Sequence, residues 1–158
     1  MQERQFSFHP IGHVEHAVPD DEVPRRRRDL VCDVVLAPEL APALDGIEDY
    51  SHIFVLFWMH RLAGGPCRLR VHPRGREDLP LTGVLATRSP HRPNPVGLAV
   101  CELLERRDYR LTVRRLDAFN GTPVIDIKPY DLYDRVERPR VPEWWLQRSG
   151  GKGFSALE

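Results

Sequence analysis

Four groups of side chains in this sequence could do chemistry. The densest is Thr87-Arg88-Ser89-Pro90-His91-Arg92-Pro93-Asn94-Pro95-Val96-Gly97, where prolines enclose two arginines, a histidine and an asparagine. Each proline fixes its own φ and removes a backbone donor. Each also drives the preceding residue toward an extended conformation, so the segment is neither a helix nor a central strand. Such a stiff loop holds Arg88, Arg92 and Asn94 in fixed directions with little entropy left to lose. Guanidinium groups held that way suit an anionic or planar ligand. The plainer reading is a rigid surface loop with solvated arginines.

The other groups are smaller. His60 closes His52 to His60, the most apolar stretch of the chain. Asp126 and Lys128 stand in an alternating segment, and Arg25-Arg26-Arg27-Arg28 follows the acidic block Asp20-Asp21-Glu22. Taken singly, His60 reads as a hydrogen-bonded histidine at a strand end, and Asp126 with Lys128 as a same-face ion pair. The acidic and basic blocks read as a solvated loop with internal pairing.

These groups must be positioned by a domain of ordinary globular composition. The chain has 158 residues, is 41% hydrophobic and 29% charged, and has zero net charge. That size supports one domain with a substantial core. Zero net charge argues against a general nucleic-acid coat but allows a local basic face. Of the basic residues only Lys128 and Lys152 are lysine; the rest are arginine, the better bidentate ligand for phosphate and carboxylate. No apolar run approaches a membrane span, and the polar start from Met1 to Phe8 does not read as a signal peptide. Cys32, Cys67 and Cys101 are scattered and odd in number, which supports neither a disulfide framework nor a cysteine metal site. A reduced, cytoplasmic setting is the default, with no membrane and no metal expected. There is no internal repeat, GxGxxG, P-loop or nucleophile elbow.

Short alternating runs dominate the rest. Strands are expected at Gln5 to His16 (interrupted at Pro10-Ile11-Gly12), Leu30 to Ala37, His52 to His60, Cys67 to His72 and Leu81 to Ala86. Further strands are expected over Leu98 to Glu105, Tyr109 to Leu116 and Thr122 to Lys128. Leu111, Val113 and, after a slip in register, Leu116 supply one inward face. Val124, Asp126 and Lys128 are expected to share a face. Pro38 to Leu44 reads as a loop or short turn, Leu44 to Ser51 as a turn with at most one helical turn, and Asn120-Gly121 as a strong turn signal. Pro142 to Arg148 reads as a short helix with proline in its first turn, and Gly150 to Glu158 as a frayed end. The fold class is therefore mainly β: a single compact β-barrel domain with a few short helices or turns, closure solving the edge-strand problem.

Three blocks carry a resemblance. They are Leu44-Asp45-Gly46-Ile47-Glu48-Asp49-Tyr50-Ser51-His52, Ala86 to Leu98, and Asn120-Gly121-Thr122-Pro123-Val124-Ile125-Asp126-Ile127-Lys128-Pro129-Tyr130. Together with Pro10-Ile11-Gly12 they resemble the TsaA-like (TrmO) family over roughly Phe6 to Tyr130. The resemblance implies a barrel domain over residues 1–135, followed by a C-terminal extension with a short helix over 136–158. It implies a cytoplasmic, homodimeric methyltransferase that depends on S-adenosyl-L-methionine, with tRNA as partner. The acceptor implied is the N6 nitrogen of threonylcarbamoyladenosine beside the anticodon. Another RNA or a small-molecule acceptor, or a non-catalytic barrel that binds the cofactor or RNA, is the alternative.

The same resemblance assigns the cofactor pocket to Arg26, Arg27 and Arg28, to Met59 and His60, to Arg88 and Leu98, and to Gly121, Thr122, Pro123 and Val124. An arginine or backbone N–H groups suit the methionine carboxylate of the cofactor, and Met59 with Leu98 would form an apolar slot for adenine. An acylated adenine N6 still carries a proton that must leave, which makes His60 and Asp126 the candidate bases. Arg92 and Asn94 are left to lock the loop or a dimer interface. Two positions depart from the family pattern: four arginines stand where a glutamine among prolines is common, and Asn120 stands for the usual aspartate.

Overall fold

The alternating runs of the sequence become short strands, most of them with one buried face. The computed structural model of the chain describes residues 5–148. In chain order the strands are β1 (Gly12–Glu15), β2 (Val31–Leu36), β3 (His52–Trp58), β4 (Arg70–Val71), β5 (Thr82–Gly83), β6 (Val96–Arg107), β7 (Arg110–Arg114) and β8 (Pro123–Pro129). Two short helices, α1 (Val23–Arg26) and α2 (Glu143–Arg148), and several 3₁₀ turns complete the described elements. The expected helix near Pro142 is thus present. The expected frayed end at Gly150 to Glu158 lies outside the described residues.

The chain divides into two compact units, one comprising Met1–Gly65 and Asn94–Leu132, the other Pro66–Pro93 and Tyr133–Glu158. In the first, six strands close a barrel in the order β1-β2-β7-β6-β3-β8. Neighbouring strands run antiparallel throughout. In β3 every second residue (Ile53, Val55, Phe57) is buried. They meet Val14, Val34, Cys101, Leu111, Val113, Leu116 and Val124 in one apolar core. Closure leaves no long unpaired edge, as a barrel of this size requires. The register slip before Leu116 is present: Arg115 takes a φ of 75°, and Leu116 returns to the core fully buried.

Two β-bulges change which side chains face out. Leu56 pairs with Asp126 but Phe57 with Val124, so β8 carries one extra residue at this point. Val124 is therefore inside, opposite Phe57, while Asp126 and Lys128 lie opposite the outward Leu56 and Phe54. The expectation that Val124, Asp126 and Lys128 share a face fails because strict alternation does not survive a bulge. A second bulge falls between Leu103 and Glu105 where β6 pairs with β7.

Three strand expectations are corrected, one of them Cys67 to His72, which forms only the two-residue β4. The first strand begins at Gly12 rather than Gln5, and Phe6 and Phe8 are exposed. Leu81 to Ala86, in the second unit, forms only the two-residue β5 and then a 3₁₀ turn over Val84–Ala86. There the Val84 carbonyl accepts hydrogen bonds from the Thr87 amide, the Thr87 hydroxyl and the Arg92 guanidinium, which folds the chain back before a strand can extend. β4 pairs with β5, and Val71, Pro73, Leu79 and Val84 are buried among the described residues of this unit.

Candidate functional site at the barrel rim

The turn between β7 and β8 closes the barrel as well as reversing the chain. Gly121 takes a φ of 77°, a conformation glycine adopts without strain, and the space beside its Cα is open. Its amide donates to the Val14 carbonyl at 2.8 Å, and the Val14 amide donates to Thr122 at 3.0 Å. Asn120 Oδ1 accepts the His16 amide at 3.0 Å. The His16 ring fixes the approach to this turn. Its Nδ1 accepts the Val18 amide at 3.2 Å, so Nε2 carries the hydrogen and donates to the Ala118 carbonyl at 3.0 Å. Thr122 is buried, and Val124 points into the core.

The end of β3 lies against this turn. The Met59 amide donates to Pro95, and a 3₁₀ turn over His60–Leu62 follows. The Arg61 guanidinium stacks over the Phe119 ring, 4.8 Å from its centroid, and donates a hydrogen bond to the Asp20 carboxylate. Asp20 opens the segment that leads into α1, where buried Val23 anchors the backbone and Arg25, Arg26 and Arg28 face solvent. Arg26 lies 3.8 Å from Asp29. The His60 ring is half-buried and has no hydrogen-bond partner among the described residues.

Of the residues expected from sequence, Gly121, Thr122 and Pro123 lie at the turn seated on β1, and Met59 and His60 lead into Arg61, whose guanidinium reaches Phe119 before that turn and Asp20 ahead of Arg26, Arg27 and Arg28. Leu98 and Asp126 stand elsewhere, on the outer barrel wall. Leu56 pairs with Leu98 on one side and Asp126 on the other. Asp126 accepts an ion pair from Lys128 at 2.9 Å, the same-face pair expected from their spacing. Around Leu98 the outer wall is apolar: Phe54, Leu56 and Trp58 of β3 lie opposite Val100, Leu98 and Val96 of β6.

Arg88 belongs to the second unit, where it is exposed with no ion pair among the described residues. Arg92 is a clamp for its own loop. Its guanidinium donates to the carbonyls of Ser89 at 2.9 Å, Thr87 at 2.5 Å and Val84 at 3.2 Å. Its assignment to locking the loop therefore holds.

Arg61, Asp20, Phe119 and His16 are the rim residues that sequence reasoning missed. The only signal was the return of polarity at His60-Arg61. The buried thiols take no part: burial pushes both Cys32 and Cys101 up to about 12, leaving them protonated. Among the described residues no cluster of histidine, cysteine, aspartate or glutamate could hold a metal ion, and no helix is long and apolar enough to cross a membrane.

Six antiparallel strands closing on one apolar core define a small closed β-barrel class. Residues 14–134 match the model of the tRNA-methyltransferase O N-terminal domain, and the chain belongs to that family. It is 43% identical over 133 residues to a probable S-adenosyl-L-methionine-binding protein of Methanothermobacter thermautotrophicus, covering 82% of this chain and 93% of the relative. It is 41% identical over 101 residues to the human tRNA (adenine(37)-N6)-methyltransferase, covering 63% of this chain and 23% of that protein. Its backbone is similar to crystalline TrmO from Pseudomonas aeruginosa, with a TM-score of 0.68 and 33% identity, covering 87% of this chain and 61% of that one. The chain thus spans about three fifths of the length of that solved structure. The resemblance read from the three motif blocks is borne out.

Proposed function

We propose that the chain is an S-adenosyl-L-methionine-dependent methyltransferase acting on an adenine N6 of tRNA, with threonylcarbamoyladenosine beside the anticodon as acceptor. The observation that supports this reading is the pair of contacts made by Arg61, which follows Met59-His60 and reaches both Phe119, just before the Gly121 turn, and Asp20, ahead of Arg26 to Arg28. The donor set suits that cofactor. Arg27 and Arg28 have no ion pairs among the described residues and suit its carboxylate, Met59 packs at the edge of the core, and the open space at Gly121 admits close approach to backbone. The cofactor supplies an electrophilic methyl group on a sulfonium.

For its part the protein aligns and accepts a proton. Transfer of a methyl group needs in-line placement rather than covalent help, so a rim fixed by hydrogen bonds is the suitable design. His60 is the better base of the two candidates. Its ring is unpartnered at the rim, whereas Asp126 is engaged by Lys128 on the outer wall and also accepts its neighbour's amide. Arg88 keeps its cofactor role from its motif and from its unpaired guanidinium within its own unit. Leu98 fits an interface better than an adenine slot. The apolar outer face of β3 and β6 supports a homodimer with a second copy covering it. Residues 1–135 would be the methyltransferase domain and 136–158 its extension, working in the cytoplasm, where tRNA is the substrate.

Isothermal titration with S-adenosyl-L-methionine tests the reading at its first step. A saturable heat at micromolar concentrations is expected. No heat at high micromolar protein would remove the cofactor and the proposed function with it.

A further inference from the structure

Arg61 makes two contacts of different kinds to two segments far apart in sequence. Its guanidinium donates to the Asp20 carboxylate and lies over the Phe119 ring at 4.8 Å from the centroid. Asp20 begins the segment that ends in Arg26 to Arg28, and Phe119 stands two residues before Gly121. Among the described residues, the other backbone hydrogen bonds of segment 19–29 are local: Glu22 and Val23 to Pro19, Arg25 and Arg26 to Glu22, and Asp29 and Leu30 to Arg26. Buried Val23 and Leu30 hold the backbone down on either side of the arginines, and Arg61 supplies the side-chain contact from Asp20 toward the turn.

We propose that Arg61 is the positioning residue of the rim site, setting the distance between the Arg26–Arg28 wall and the Gly121 wall through Asp20 and Phe119. The proposal rests on the methyltransferase reading. A guanidinium is suited to this double task because it is planar, permanently charged, and able to stack on one face while donating in its plane. The two charged side chains are 45% and 43% exposed, and ion pairs in that setting contribute little to global stability. The contact is therefore separable from folding: its loss should misplace the walls while leaving the barrel intact.

The test uses the full chain with S-adenosyl-L-methionine as titrant and thermal melting alongside. Arg61→Ala should raise the dissociation constant roughly tenfold while moving the melting temperature by less than about 2 °C. Asp20→Asn, which keeps shape and removes charge, should weaken binding in the same direction and keeps the test open if Arg61→Ala fails to fold. The double variant should bind no more weakly than Arg61→Ala alone, since both remove one contact. Arg61→Lys, retaining the charge but not the planar fork, should recover only part of the affinity. Unchanged affinity in Arg61→Ala and Asp20→Asn, strictly additive losses, or a melting temperature that falls in step with affinity would overturn the positioning role while leaving the cofactor reading intact. Failure of the unsubstituted chain to bind would overturn both.

Discussion

Asn120 Oδ1 accepts a hydrogen bond from the His16 amide at 3.0 Å, joining residues 104 positions apart. With the Gly121 amide on the Val14 carbonyl, this bond seats the turn before β8 on the end of β1. A side-chain oxygen is all the contact requires, so an aspartate does the same work. The departure from the family pattern at this position is thus geometrically neutral. Asn120→Asp should melt within about 1 °C of the parent, whereas Asn120→Ala should lose about 1 kcal/mol and roughly 3 °C. Differential scanning calorimetry of the two variants decides it; equal losses would show that the bond does not hold the turn.

Gly97 ends the proline-rich block for a packing reason. It pairs with Phe57 across β3 and β6, and a Cβ there would run into the Phe57 ring. The ring lies in the core and cannot swing away freely. Gly97→Ala should therefore cost about 2 kcal/mol by overpacking, lowering Tm by roughly 5 °C. Combining it with Phe57→Leu should give less loss than the sum of the two single changes. Simple additivity would contradict this packing.

Glu15 is held below its ordinary value of 4.5, chiefly by the hydrogen bond from Arg110, with His13 contributing a second. Because its folded-state value is depressed, the stabilisation is fully present above 4.5 and is lost as pH falls through the folded-state value. The two charged groups are part-exposed, which keeps the effect small. Denaturant titrations of the parent and Glu15→Gln should differ at neutral pH and converge in acid. A difference that persists or grows in acid reverses the sign and contradicts the assignment.

The apolar wall formed by Phe54, Leu56 and Trp58 with Val96, Leu98 and Val100 is the proposed dimer face. Val100→Asp puts a charge into this wall opposite Phe54 and should weaken self-association at least about tenfold. Light scattering after gel filtration should report a dimer for the parent and a monomer for the variant at micromolar concentration. A monomeric parent would leave that wall without a second copy.

Much of the barrel was legible because one buried face per strand leaves an alternating pattern: Ile53, Val55 and Phe57 are visible at a glance. The slip before Leu116 was legible for the same reason. The bulge in β8 was not, since Val124, Ile125, Asp126 and Ile127 alternate smoothly and nothing local marks the extra residue. That hidden residue puts Asp126 opposite the outward Leu56 while Val124 stays in the core. At the site itself, His60 and the Gly121 turn could be found by motif. Arg61 could not, because its partners Asp20 and Phe119 are brought to it only by barrel closure. The arginines of the proline-rich loop are alike by type, and the family resemblance separated Arg88 from Arg92; geometry adds that Arg92 donates to carbonyls of its own loop.

Methyl transfer is the central claim, and one measurement reaches it directly. The chain is incubated with isotopically labelled S-adenosyl-L-methionine and tRNA from cells lacking it, and the nucleosides are read by mass spectrometry. The expected result is label on threonylcarbamoyladenosine, abolished or reduced at least about a hundredfold in His60→Ala if that ring takes the proton. Cofactor binding with no label in any tRNA nucleoside would contradict the claim.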